Sequence, residues 1–221
     1  SYTIKEIDHV YEEVFLYTNI IKFIDWIADY TLAPKGLVLK LFLVNKNIVS
    51  YKIKDQEESI FNPKPVTLNT EQQKAFNVIN KSLFNKISPI VLEGVTGSGK
   101  TEVYFEAIEK VLKEKKQALI MLPEISLTPQ LELRFKERFG FAPDIWHSKI
   151  TEKKRKHTWH RCYQGEPIIV VGARSSLFLP FQHLGLIVVD EEHDLSFKQE
   201  DNIRYQARDL AIVRSQIEKF L

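Results

Sequence analysis

The chain has 221 residues, of which 44% are hydrophobic and 27% charged, a balance that supports a buried core and a soluble globular class. Its 31 basic and 29 acidic residues leave a net charge of +2, so any nucleic-acid surface must come from local arrangement and not from bulk charge. The lone cysteine excludes an internal disulfide and a multi-cysteine zinc site within the chain, in keeping with a reducing cytoplasm, and no apolar run approaches the ~20 residues of a membrane helix.

There is no signal-peptide pattern, internal repeat or low-complexity tract. With Ser1 first and Met121 the only methionine, the sequence reads as a piece of a longer product. Ile20, Phe23, Ile24, Ile27 and Tyr30 share one helical face between Tyr17 and Tyr30, and Pro34 and Gly36 are expected to end that helix. Gly36 to Val44 is nearly continuous apolar sequence whose periodicity fits a strand or a helix. The stretch from Asn45 to Lys64 is more polar, finishes in Asn62-Pro63-Lys64-Pro65 and reads as a linker. Residues 1–60 are therefore expected to form a small appendage, and residues 61–221 the main domain.

Asn69 or Thr70 is placed to cap a helix that buries Ala75, Phe76 and Ile79, with Gln72 in its first turn. Next comes an apolar run, Ile90 to Leu92, within Ser88 to Val95, expected to be a buried parallel strand. It leads into Gly94-Val95-Thr96-Gly97-Ser98-Gly99-Lys100-Thr101, which fits the phosphate-loop pattern G-x-x-x-x-G-K-[ST]. The glycines let successive N–H groups turn inward around a phosphate. Lys100 reaches terminal phosphates, Thr101 holds a magnesium ion, and the N-terminus of the following helix adds favourable charge. ATP with Mg2+ is the expected ligand. Val103, Tyr104, Ala107, Ile108, Val111 and Leu112 give that helix its apolar face.

Four more strands are expected at Gln117–Leu122, Ile145–His147, Pro167–Gly172 and Leu184–Asp190. Helices are expected from Thr128-Pro129 to Phe139, from Thr151 to Tyr163 and from Ala207 to Phe220. Strands alternating with amphipathic helices predict an α/β fold, a parallel sheet between helices, with ligands beyond the carboxyl ends of the strands. Asp190-Glu191-Glu192-His193 closes the last strand. Asp190 suits a metal held through its water shell, and Glu191 the orientation or deprotonation of an attacking water; the alternative is that these acids cap the next helix.

Together, Gly94 to Thr101 and Asp190-Glu191-Glu192-His193 resemble the superfamily 2 helicases. Leu122-Pro-Glu-Ile-Ser-Leu-Thr-Pro-Gln130, His147-Ser148, Gly172-Ala-Arg-Ser-Ser-Leu-Phe178, Asp190-Glu-Glu-His-Asp194, Phe197-Lys-Gln199 and Arg204-Tyr205-Gln-Ala-Arg-Asp209 narrow the likeness. Over residues 68–215 the chain resembles the primosomal replication-restart DNA helicases. That resemblance implies the first RecA-like ATPase lobe of a 3′-to-5′ helicase acting on forked or single-stranded DNA. It implies that Gln72 contacts adenine, that Lys100, Thr101, Asp190 and Glu191 bind and hydrolyse Mg-ATP, and that Thr128, Pro129, Gln130, Gly172, Arg174 and Ser175 touch the DNA backbone. By the same resemblance His193, Phe197, Arg204 and Tyr205 couple DNA binding to hydrolysis, and primosome and single-strand-binding proteins are partners of the full-length protein. Zinc-binding cysteines and a second motor lobe would lie past Leu221. Residues 9–44 resemble part of that family's N-terminal DNA-binding region, though the front of the region is absent and the span from Val44 to Leu68 is short for a winged helix.

Two other readings stay open: a different superfamily 2 translocase acting on duplex DNA, and a non-catalytic DNA-binding assembly module. The basic run Lys149, Lys153, Lys154, Arg155, Lys156 and Arg161 reads as a solvated helix face or a DNA track, and His157, His160 and Cys162 match no usual metal spacing.

Overall fold

A computed structural model of the chain describes residues 16–43, 61–85, 89–95 and 97–221, without the side chains of residues 84 and 85. Residues 45–60 of the expected linker, Val44, the start of the N-terminal resemblance, Ser88 and Thr96 lie outside the described residues.

A four-stranded parallel sheet forms the centre. It contains β1 (Gln117–Met121), β2 (Asp144–Trp146), β3 (Ile169–Gly172) and β4 (Leu184–Val189), in the order β2-β3-β1-β4. Every residue of β1 and β3 is buried, which explains why these strands read as continuous apolar runs and not as alternating ones. The alternation is nevertheless present in where the side chains go. Leu119, Met121 and Val170 join one apolar cluster, while Ala118, Ile120, Ile169 and Val171 join the other.

On the second of those faces lie α3 (Thr70–Asn85), α4 (Lys100–Lys113) and α5 (Pro129–Phe139), contributing Phe76, Ile79, Val103, Ile108, Phe135 and Phe139. The ends of α5 are written in its sequence: the Thr128 hydroxyl accepts from the Leu131 N–H, Pro129 opens the first turn, and Gly140 closes the helix at φ 86°. Arg138, buried on α5, donates to Glu106 and Glu109 of α4 and so fixes the two helices to each other.

The opposite face carries α1 (Thr18–Thr31), α2 (Lys35–Leu43), α6 (Glu152–Gln164) and α7 (Ala207–Glu218). The N-terminal helices share a single core with the sheet: Phe42 packs edge-on against Phe178 at 5.4 Å, and Trp159 Nε1 donates to the Phe42 carbonyl at 2.7 Å. Arg214 of α7 is fully buried there. It donates to the carbonyls of Leu177 and Leu179 and to Glu218, and its guanidinium lies over the rings of Phe23 and Phe181.

Two expectations are corrected. The apolar stretch is helical over residues 36–43, and Gly36 lies inside α2 and does not end α1; α1 ends at Thr31, capped by Leu32 in the left-handed conformation at φ 54°. The predicted strand at Ile90 to Leu92 is absent: residues 89–95 join no ladder, and Val91 is 89% exposed. Apolar composition equips a segment for burial, but a strand also needs a neighbour with free backbone groups. At one edge of the sheet, β4, the Ile187 N–H donates to the carbonyl of Leu221, and Ile187 to Val189 are only half-buried.

Candidate nucleotide site

Because the strands are parallel, the turns that follow β1, β3 and β4 emerge at one rim of the sheet. The Leu122 N–H donates to the Gly172 carbonyl and the Asp190 N–H to the Met121 carbonyl, at 2.9 and 3.0 Å, tying those three strand ends together. Gly172 is required by this closeness: a Cβ there would stand 2.7 Å from both the Trp146 carbonyl oxygen and the Ser176 Cβ.

The glycine-rich loop enters α4 with Gly97 and Gly99 both at φ 80°, a conformation strained for any other residue. Two side chains donate to its carbonyls. Lys100 Nζ donates to the carbonyls of Gly94 at 2.6 Å and Val95 at 3.4 Å. Gln72 donates to the carbonyls of Ser98 at 3.2 Å and Gly99 at 3.5 Å, while its oxygen accepts from the Asn69 N–H at 2.9 Å. The Gln72 N–H in turn donates to the Asn69 side-chain oxygen, so a reciprocal cap at the start of α3 aims the amide at the loop. At Gly99 an added Cβ would sit 2.2 Å from the Gln72 nitrogen, so the amide would have to move aside.

The acidic segment after β4 is cross-linked differently. Tyr104, on α4 one turn beyond Lys100, donates its phenol to Asp190 Oδ2 at 3.2 Å, and the Glu191 N–H donates to Asp190 Oδ1 at 3.0 Å. Thr101, three residues before Tyr104 on α4, shares its helix face. Burial, followed by the charge of Asp190, pushes the phenol well above its ordinary acidity range, so it stays protonated and a donor. Thus Asp190 is tied through one tyrosine to the helix that carries Thr101, 89 positions earlier. Glu191 sits in the left-handed region at φ 52° and faces His193 at 3.5 Å; Glu192 pairs with Arg208 at 2.6 Å. A hydroxyl and a carboxylate are the hard oxygen donors that magnesium prefers, and with a glycine loop and an adjacent lysine the residues fit a magnesium nucleotide.

Around the same rim, Thr128, Pro129, Gln130 and Ser175 are exposed, whereas Gly172 is buried. Arg174 opens a 3-10 turn, Arg174–Phe178, and donates to the carbonyls of Ser196 and Lys198, the first at 3.0 Å. It therefore bonds the segment that follows the acidic run. Within that segment Phe197 is fully buried and Tyr205 nearly so, its ring edge-on to Phe178 at 5.3 Å. Lys198–Gln199 (β5) and Tyr205–Gln206 (β6) form a two-stranded antiparallel ribbon, and Arg204 donates to the Glu200 carbonyl at 3.3 Å. The basic run is largely structural: Arg161 pairs with Asp144 and Glu166, Lys156 with Glu152, and Arg155 lies over the Trp146 ring and donates to the carbonyls of His147 and Ser148. His160 and Cys162 are buried in packing.

Sequence reasoning gave no site role to Asn69, Tyr104 or Arg208. Tyr104 is four residues after Lys100 and three after Thr101, so helical spacing alone puts all three on one face. The tyrosine was instead counted as part of the apolar stripe.

The sequence pattern of the DEAD/DEAH box helicases matches residues 69–220, which contain the loop, the acidic run and every strand described. The chain belongs to the DEAD/DEAH box helicase family. It is 45% identical to the replication restart protein PriA of Rickettsia felis over 91% of this chain and 31% of that protein. Similar proteins of the same name occur in Haemophilus influenzae, 44% identical over 84% of this chain and 25% of the relative, and in Bacillus subtilis, 42% identical over 82% and 23%. The chain thus spans about a third or less of the length of these curated relatives. Among the described residues no helix is long and apolar enough to cross a membrane.

Proposed function

We propose that residues 61–221 are the ATP-binding first motor lobe of a PriA-type replication-restart helicase, with residues 1–60 the remnant of an N-terminal DNA-binding region. The observation that supports this most is the hydrogen bond from the Tyr104 phenol to Asp190, because it joins the helix that carries Lys100 and Thr101 to the acidic run, the two halves of a phosphate-transfer site.

When bound, Mg-ATP supplies a polarised terminal phosphoryl group open to attack by water. The loop N–H groups between Gly94 and Gly99 bind phosphate oxygens, and Lys100 leaves its own loop carbonyls to meet the terminal phosphates. Thr101 and Asp190 would hold the metal, and Glu191 would orient the attacking water. The amide of Gln72 exchanges its loop contacts for the edge of adenine.

Thr128 to Gln130 and the 172–175 turn offer main-chain amides and hydroxyls to a single strand without reading its sequence. Arg174 relays occupancy of that turn to residues 196–198 and the acidic run. His193, Phe197, Arg204 and Tyr205 act in that relay, Phe197 and Tyr205 through packing because both are buried. Unwinding of forked DNA, 3′-to-5′ movement, and primosome and single-strand-binding partners belong to a longer, cytoplasmic protein.

Translocation needs two lobes closing on the nucleotide, so this chain is expected to bind ATP and hydrolyse it poorly. The test is ATP binding and hydrolysis with and without forked DNA, on this chain and on a version extended past Leu221. Binding by both and DNA-stimulated turnover only by the longer one is the expected result. Preference for duplex over forked DNA would favour another translocase, and failure of either protein to bind nucleotide would favour an assembly module.

A further inference from the structure

Buried tyrosines commonly find one partner for the hydroxyl and have no other role. Tyr104 differs in which partners it has. Its ring is 6% exposed and packs edge-on against Phe105 at 5.4 Å, which holds the hydroxyl at the carboxyl rim of the sheet. There it donates to Asp190 Oδ2 at 3.2 Å, while Asp190 Oδ1 is held by the Glu191 N–H at 3.0 Å. Each carboxylate oxygen keeps a free lone pair, and with both oxygens anchored the direction of those lone pairs is set.

Resting on the nucleotide reading above, we propose that Tyr104 is a positioning residue that fixes the orientation of the Asp190 carboxylate relative to α4, the helix that carries Thr101, and thereby sets the affinity of the site for the divalent cation accompanying the nucleotide. It touches neither nucleotide nor metal and works through the carboxylate it holds. Removal of such an outer partner costs roughly 10–100-fold in metal affinity. Phosphate contacts made by the loop and Lys100 do not pass through the phenol, so nucleotide affinity without metal is independent of it.

The test is Tyr104→Phe, which keeps the ring and its packing. A fluorescent ATP analogue is titrated against this chain and the variant, first in EDTA and then across a Mg2+ series, with thermal melting as a folding control. The expected result is an unchanged affinity in EDTA and a Mg2+ midpoint raised about tenfold. A Mg2+ midpoint equal to wild type overturns the inference while leaving the nucleotide reading intact. Equal losses in EDTA and in Mg2+ overturn it too, since they mark a role in folding alone. If the wild-type chain binds no nucleotide under either condition, the nucleotide reading falls and the inference with it.

Discussion

The two halves of the candidate site are built on opposite plans. In the glycine loop the polar contacts end on the loop's own carbonyls: Lys100 reaches those of Gly94 and Val95, and Gln72, from α3, those of Ser98 and Gly99. In the acidic half the carboxylates of Asp190 and Glu192 are themselves held from other elements, α4 and α7, and the following turn by Arg174. A self-satisfied loop exchanges its internal hydrogen bonds for those to a ligand, so the exchange has a small net enthalpy. A cross-braced carboxylate is already oriented and loses little freedom when a ligand arrives. The phosphate half is therefore the part that rearranges, and the acidic half the part that is prebuilt.

That contrast is broken most directly at Lys100. If its bonds to Gly94 and Val95 are a resting arrangement, Lys100→Ala removes the one charge able to transfer to the phosphates. Nucleotide affinity should fall on the order of a hundredfold, the scale of one charge-assisted contact, with little change in melting temperature. Nucleotide titration and thermal melting on the same samples check both statements. A large loss of stability with no loss of binding would make the lysine a loop staple.

The sequence made much of this legible because its signals are local. The loop pattern, the four strands of the sheet and the ends of α5 at Thr128-Pro129 and Gly140 depend on neighbours a few residues away. The strand expected at Ile90 to Leu92 failed because pairing depends on which edge is free, and periodicity carries no record of that. Tyr104 was missed for a related reason: an aromatic in an apolar stripe is indistinguishable from core until a carboxylate from β4 is seen opposite its hydroxyl. Phe197 and Tyr205, expected to couple DNA binding to hydrolysis, are buried, and no local pattern separates an anchoring aromatic from a presented one.

Bracing of the acidic half extends to Tyr205, whose burial pushes its phenol up to about 12 from the ordinary value of 10.0. A raised folded-state value contributes stability that is complete below pH 10 and is lost as pH rises from there through about 12. The stake is about 2–3 kcal/mol. Tyr205→Phe should therefore flatten the alkaline fall in melting temperature between those limits, and an unchanged slope would show that other groups carry it. In the loop half, Gln72→Ala should be milder. It frees the Ser98 and Gly99 carbonyls and removes one side of the Asn69 cap, costing about 1 kcal/mol of stability by thermal melting.

The smallest effect is expected at Arg208, and it tests whether every brace in the acidic half matters equally. Arg208 pairs with Glu192 at 2.6 Å and with Asp209 at 3.0 Å, but all three side chains are about half exposed. Water and salt screen such pairs, and holding two long side chains in register opposes the attraction, which leaves roughly 0–1 kcal/mol. Arg208→Ala should lower the melting temperature slightly at low ionic strength and not at all near ~1 M salt, where screening acts within about 3 Å. Because Glu192 is not among the groups placed to hold the nucleotide or its metal, nucleotide affinity should stay at the wild-type value. A loss of affinity that survives high salt would mean that the orientation of the whole acidic turn, and not Asp190 alone, is transmitted to the nucleotide through α7.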